Sequence, residues 1–165
     1  MVDAAPFTFA PLTPTAFLDR SAAVFGDHIA VVDGDRRFSY AQLHDRSRRL
    51  AGALAAAGAG AGARVAVLAP NSALSLEAHN GVPWAGAVLV PLNTRLNAEE
   101  IGDILDHSGT SVLLADSELA DTARSTVSPA AGPTSQALRG AALALAHRQG
   151  TRRGFASFSL VVTRT

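Results

Sequence analysis

An α/β fold is predicted for this chain, and three observations predict it. Apolar runs of strand length begin near residues 64, 87 and 111. Segments of helical periodicity lie between them, and the connections are short throughout. That alternation calls for right-handed crossovers, hence a mostly parallel sheet flanked by helices, with a β-hairpin near the N-terminus.

The first element is a helix opened by Thr13-Pro14, because Thr caps and proline at the first helical position loses no needed hydrogen bond. Phe17, Leu18, Ala22 and Phe25 recur at helical spacing and are read as a core face, with Gly26 as the stop. Ile29 to Val32 and Arg36 to Tyr40 read as the two strands of a hairpin around Asp33-Gly34-Asp35. Two aspartates beside a glycine suggest calcium, but the other ligands of a calcium loop are missing, and the turn reading is preferred.

Ser39 and Gln42 have capping-box spacing, with Phe38 and Leu43 as the staple, so a second helix starts near Tyr40. Leu43, Ser47, Leu50, Leu54 and Ala57 form its apolar face, and Gly58 is its expected stop. His44, Asp45, Arg46, Arg48 and Arg49 crowd the other faces and are read as solvated. They lie mid-helix, away from the N-terminus where phosphates bind.

Gly58 to Ala63 matches a G-x-G-x-x-A dinucleotide fingerprint by letter. That motif needs a strand before it and a helix after it, whereas here a helix precedes and the strand Arg64 to Leu68 follows. It is taken as a flexible turn. Ser72 then caps a helix carrying Leu74, Leu76 and Val82 and interrupted by Pro83, with Trp84 in the core.

The stretch from Gly86 to Ile101 reads as a strand, a turn and a capped helix. Ala87 to Val90 is apolar on both faces, as a central parallel strand is, and Pro91 ends it. Asn97 and Glu100 make a second capping box, stapled by Leu96 and Ile101, for a helix running to about Asp106. A strand from Ser111 to Ala115 follows, then a short helix capped by Ser117 and ending near Ala123. Further on, Gln136 to His147 reads as an Ala/Leu helix and Phe155 to Val162 as a strand, neither continuing the earlier pattern.

The 165 residues are 48% hydrophobic and 17% charged, enough for one domain with a real core. There is no cysteine, so disulfides, thiolate zinc sites and cysteine nucleophiles are excluded. The net charge of zero hides a division: all 14 acids lie at or before Asp121 with eight arginines, a net of −6, and the other six arginines follow without an acid, a net of +6. A basic tail with no folded motif or interleaved aromatics makes nucleic acid an unexpected partner. The N-terminus lacks the basic start and apolar core of a signal peptide, and no apolar run approaches the ~20 residues of a membrane span. A cytoplasmic protein is expected.

Every positive side chain is an arginine. The absence of lysine removes the phosphate-loop cation and Schiff-base chemistry. The histidines at 28, 44, 79, 107 and 147 share no metal-ligand spacing, so no metal site is expected. His79 and His107 are read as packed or turn-capping. No G-x-S-x-G elbow is present. Pro91-Leu92-Asn93-Thr94-Arg95, beyond a predicted strand end, is the one stretch with a ligand-binding alternative; the structural reading is a turn held by Asn93 with Arg95 paired to an acid.

Four words in order carry a resemblance: Phe38-Ser-Tyr-Ala-Gln-Leu43 with Ala51-Gly-Ala-Leu54, Arg64-Val-Ala-Val-Leu-Ala-Pro-Asn71, Gly86-Ala-Val-Leu-Val-Pro-Leu-Asn93 and Arg95-Leu-Asn-Ala-Glu-Glu-Ile101. From about Pro11 to Ala120 the chain resembles the N-terminal portion of the AMP-forming acyl-CoA synthetases, of the adenylate-forming superfamily. Glu77 to Ala87 is similar to the medium- and long-chain fatty-acid branch, with departures at Asn80, where a large apolar residue is usual, and Ala63, where an aspartate is.

The resemblance implies an acid–thiol ligase acting in two steps, through an acyl-adenylate and then a coenzyme A thioester, with ATP, magnesium and coenzyme A used by the intact family. The family's phosphate loop, adenine strand, ribose aspartate and catalytic lysine lie beyond what this chain contains. No catalytic, cofactor-binding or metal residue is therefore assigned, and no cofactor is expected for this chain alone. The expected organisation is a synthetase-like subdomain over 1–121 and an unrelated basic tail over 122–165, disordered or frame-shifted. The chain is expected to be an inactive truncated fragment; the alternative is an interaction module docking on a full-length synthetase or on the missing catalytic remainder.

Overall fold

The computed structural model describes residues 12–127 and the backbone of two further strands at 142–146 and 158–162. Helix α1 (Pro14–Phe25) leads into a hairpin, β1 (Ile29–Asp33) and β2 (Arg36–Ser39), and then into α2 (Tyr40–Ala56). Next come β3 (Arg64–Leu68), α3 (Ala73–Trp84), β4 (Val88–Pro91), α4 (Ala98–Ser108) and β5 (Thr110–Asp116). A 3-10 turn, Ser117–Leu119, opens α5 (Ala120–Val127), and β6 (Ala142–Ala146) and β7 (Phe158–Val162) complete the order.

The main sheet has the order β4-β3-β5-β6-β7, parallel except for β7. It lies between two helical layers. Val65, Val67, Val112 and Leu114 face Leu50 and Leu54 of α2 and Val82 of α3. On the other side Ala66, Leu68 and Leu113 face Ile101 and Leu105 of α4 and Ala123 of α5. Strands β3 and β5 are thus apolar on both faces because both faces are covered.

Local signals hold where the sequence carries both partners. Gln42 N donates to Ser39 Oγ at 3.3 Å and Ser39 N to Gln42 Oε1 at 2.9 Å. The Asn97 and Glu100 pair repeats this at 3.0 and 2.9 Å. Gly109, in the left-handed conformation at φ 64°, closes α4 as glycine does without steric cost.

Four expectations are corrected. Strand β4 is at the sheet edge, not its centre. Val88 and Leu92 donate their N–H groups to the carbonyls of Ala63 and Val67, so Leu89 and Pro91 turn their nitrogens to the open side. Pro91 has no N–H to leave unpaired there, which is why it is tolerated. The face of α1 is largely exposed: only Leu18 is buried, and Phe17 keeps 56% and Phe25 51% of their surface.

The helix read over Gln136 to His147 is replaced by a strand at Ala142–Ala146, paired in parallel with β5; residues 136–141 and 147 lie outside the described residues. Pairing with a sheet overrides the helical preference of Ala and Leu. The strand read over Phe155 to Val162 is observed at Phe158–Val162, antiparallel to β6. Finally, Asp116 and not Ser117 caps the turn before α5, through Glu118 N at 3.1 Å, and α5 runs to Val127 with Ala123 and Thr126 buried.

Candidate functional site

In an open α/β sheet, ligands lie outside the carboxyl ends of the strands where the strand order reverses. Here the chain leaves β3 through α3 to β4 on one side, then crosses back through α4 to β5 on the other. The reversal therefore falls between β3 and β5. Its walls are the loop Ala69-Pro70-Asn71-Ser72 after β3 and the Asp116-Ser117 step after β5.

Pro91 to Arg95 follows the edge strand and lies outside that crevice. Asn93 Oδ1 accepts from Arg95 N at 3.0 Å, the turn expected of an Asn at this position. Arg95 itself is exposed and makes no ion pair with an acid among the described residues, which corrects the expected pairing. Asp116, buried at the end of β5, spends its Oδ1 on Glu118 N.

The most buried ion pair among the described residues joins α2 to α3. Glu77, on the buried side of α3, keeps 1% of its surface and accepts a hydrogen bond from Arg46 Nε at 2.5 Å. The Arg46 side chain is 11% exposed, and its guanidinium lies 4.7 Å from the Phe38 ring centroid. Arg46 is therefore a buried partner and not part of a solvated face, whereas Arg49 and Asp45 form an exposed pair at 2.9 Å as expected. Burial raises the Glu77 carboxyl above its ordinary range; Arg46 opposes this by hydrogen bond and charge.

Asp33, in the hairpin, pairs with Arg36 and accepts from Ala73 N at the start of α3 at 3.1 Å. The turn reading for Asp33 holds, with a second role the sequence did not show. Glu77 could have been singled out, since it is the only acid between Asp45 and Glu99 and interrupts an apolar helix. Buried acids in such runs require a partner.

Three of the histidines are held structurally. His44 Nε2 lies 2.8 Å from Asp19 Oδ1 and meets Trp84 edge-on at 5.2 Å. His79 Nδ1 lies 2.7 Å from its own helix's Ser75 carbonyl, and His28 meets Phe25 edge-on. His107 sits in the last turn of α4. His147 lies outside the described residues. Among the described residues, no three His, Asp or Glu side chains converge as a metal site.

Residues 18–151 match the family described as AMP-binding enzyme. The chain belongs to this family. Among its relatives, a peroxisomal acetate/butyrate–CoA ligase of Arabidopsis thaliana is 44% identical over 113 residues, 68% of this chain and 20% of the relative. A peroxisomal benzoate–CoA ligase of the same plant is 40% identical over 114 residues, 69% and 20% of the two chains. The crystal structure of the N-terminal domain of FACL13 from Mycobacterium tuberculosis is similar at a TM-score of 0.66 and 33% identity, over 77% of this chain and 36% of that one. This AMP-binding family chain spans about a fifth of the length of the relatives it matches.

A family of this name implies a nucleotide. The described residues assemble no nucleotide site: the chain has no lysine, Asp116 at the β5 end accepts from Glu118 N as a cap, and Arg95 stands beyond the edge strand. Among the described residues, no helix is long and apolar enough to cross a membrane.

Proposed function

We propose that this chain is the N-terminal scaffold of an acyl-CoA ligase and carries no ligase activity by itself. The observation that supports the reading is the family match over residues 18–151 in a chain that has no lysine and spans about a fifth of the length of the relatives it matches. The strands β3 and β5 and the loop Ala69 to Ser72 supply a rigid floor; the reacting groups belong to sequence of the family that this chain does not include. For the acyl group we favour an aliphatic acid, supported by the Glu77 to Ala87 stretch; the relatives' names run from acetate/butyrate to benzoate. Exchange of labelled pyrophosphate into ATP, with acetate, butyrate, octanoate, palmitate and benzoate in turn, is expected to stay at background with the purified chain. Exchange above background with any acid overturns the inactivity.

A second reading is favoured by the exposed apolar side chains of α1 and by Val88, 53% exposed on the sheet edge. In it the chain docks on a full-length ligase or its separately encoded remainder. Size-exclusion chromatography with such a ligase separates the readings: co-elution supports docking, and a monomer at every ratio removes it. A cytoplasmic location is proposed for either reading, and a fluorescent fusion that collects in peroxisomes, as several relatives' names would suggest, overturns it.

A further inference from the structure

The two margins of the main sheet differ. At one lies β4, whose open side is a donor short because Pro91 has no N–H. At the other lies β7, which pairs antiparallel with β6 from Ala142↔Val162 to Ala146↔Phe158 and has no strand beyond it among the described residues. Its sequence, Phe158-Ser-Leu-Val-Val162, contains no proline and no charged residue. Proline and charge are the means by which an edge strand is kept from pairing with another chain, and β7 has neither.

We propose that β7 is an interface between two copies of this chain, which pair antiparallel through it. A two-fold axis normal to the sheet at Leu160 sets the strand against itself. Leu160 then stands opposite Leu160 of the second copy, Phe158 opposite Val162 and Ser159 opposite Val161. An aromatic residue opposite a β-branched one is a stabilising cross-strand combination, and no like charges meet in this register. The contact is isologous, so it uses both β7 edges and closes at two copies. A head-to-tail stack of β7 on β4 would grow into a filament, and it would have to use the margin that Pro91 leaves short of a donor.

A strand of this length forms about five ladder hydrogen bonds with its twin, so the dimer is weak and depends on concentration. The pairing is independent of ligase activity and of docking on a ligase.

Sedimentation velocity of the full chain from low to high micromolar concentration is expected to show monomer passing to dimer and to nothing larger. A monomer throughout overturns the pairing, and species beyond the dimer overturn its closure. Leu160→Lys and Leu160→Asp each set like charges face to face at the axis and are expected to weaken the dimer about ten-fold. An equal mixture of the two variants sets opposite charges there and is expected to dimerise again. An undiminished dimer in either variant alone overturns the register, as does a mixture that stays monomeric. Val88→Lys, on the β4 margin, is expected to leave association unchanged; loss of the dimer in that variant overturns the assignment to β7.

Discussion

The sheet and the hairpin layer are held by opposite means. Strands β3 and β5 bury Val65, Ala66, Leu68 and Leu113 completely between two helical layers. The layer made by α1 and the hairpin has a small cluster, Leu18, Val31, Phe38, Leu43 and Ala73, and supplements it with charge. Asp33 and Arg36 pair within the hairpin, and Arg46 spans from Phe38 to Glu77. Apolar burial is non-directional and insensitive to pH, whereas a buried ion pair depends on both partners being present and on a carboxyl whose titration burial shifts. The sheet core is therefore expected to respond little to pH, and the hairpin layer to respond through Glu77.

The largest expected effect is on the sheet side. Leu113→Ala removes a fully buried side chain between α4 and β5 and is expected to cost about 4 kcal/mol, read from urea unfolding; under about 2 kcal/mol would mean that this face repacks. Next, Glu77→Ala leaves Arg46 without its counter-charge. The expected loss is about 3 kcal/mol, at the low end for a broken buried pair because Arg46 keeps some solvent. The double variant Arg46→Met, Glu77→Leu is expected to recover most of it, and failure to recover would show that the charges are needed for more than each other.

A third outcome separates the regions by pH. The folded carboxyl of Glu77 is raised above 4.5, so the folded chain binds a proton there more readily than the unfolded one. Its contribution to stability is full below the unfolded value and is lost as pH rises through the raised folded value. Glu77→Gln should flatten that part of the stability profile, whereas Leu113→Ala should shift the whole profile without changing its slope. Smaller than these is Asn97→Ala at the start of α4, expected to cost about 1 kcal/mol by circular dichroism melts. Smallest is Arg95→Ala, within about 0.5 kcal/mol of the parent, because its side chain is exposed and makes no ion pair with an acid among the described residues.

What could be read from the sequence divides along a related line. The boxes at Ser39 with Gln42 and at Asn97 with Glu100 were legible because donor and acceptor are three residues apart. The family words were legible for the same reason, each being a short contiguous string. Asp33 capping α3 and Arg46 reaching Glu77 were not, since their partners are separated by 40 and 31 residues and meet only once the hairpin and α2 are folded against α3. The place of β4 in the sheet was misread because an apolar run reports that a strand is covered on its faces, and not whether a neighbour lies beside it. The Ala/Leu strand β6 was misread because its composition favours a helix until β5 offers a ladder. Of the crevice, the strand ends were visible, while the reversal between β3 and β5 required the strand order.

Pro91 on the open side of β4 gives the sheet a direction. A second strand arriving there meets the Leu89 N–H and then, at the next outward position, a nitrogen with nothing to donate. That margin therefore offers an added strand one donor fewer than an unbroken edge would, while the chain's own later strands β6 and β7 lie on the opposite side, beyond β5.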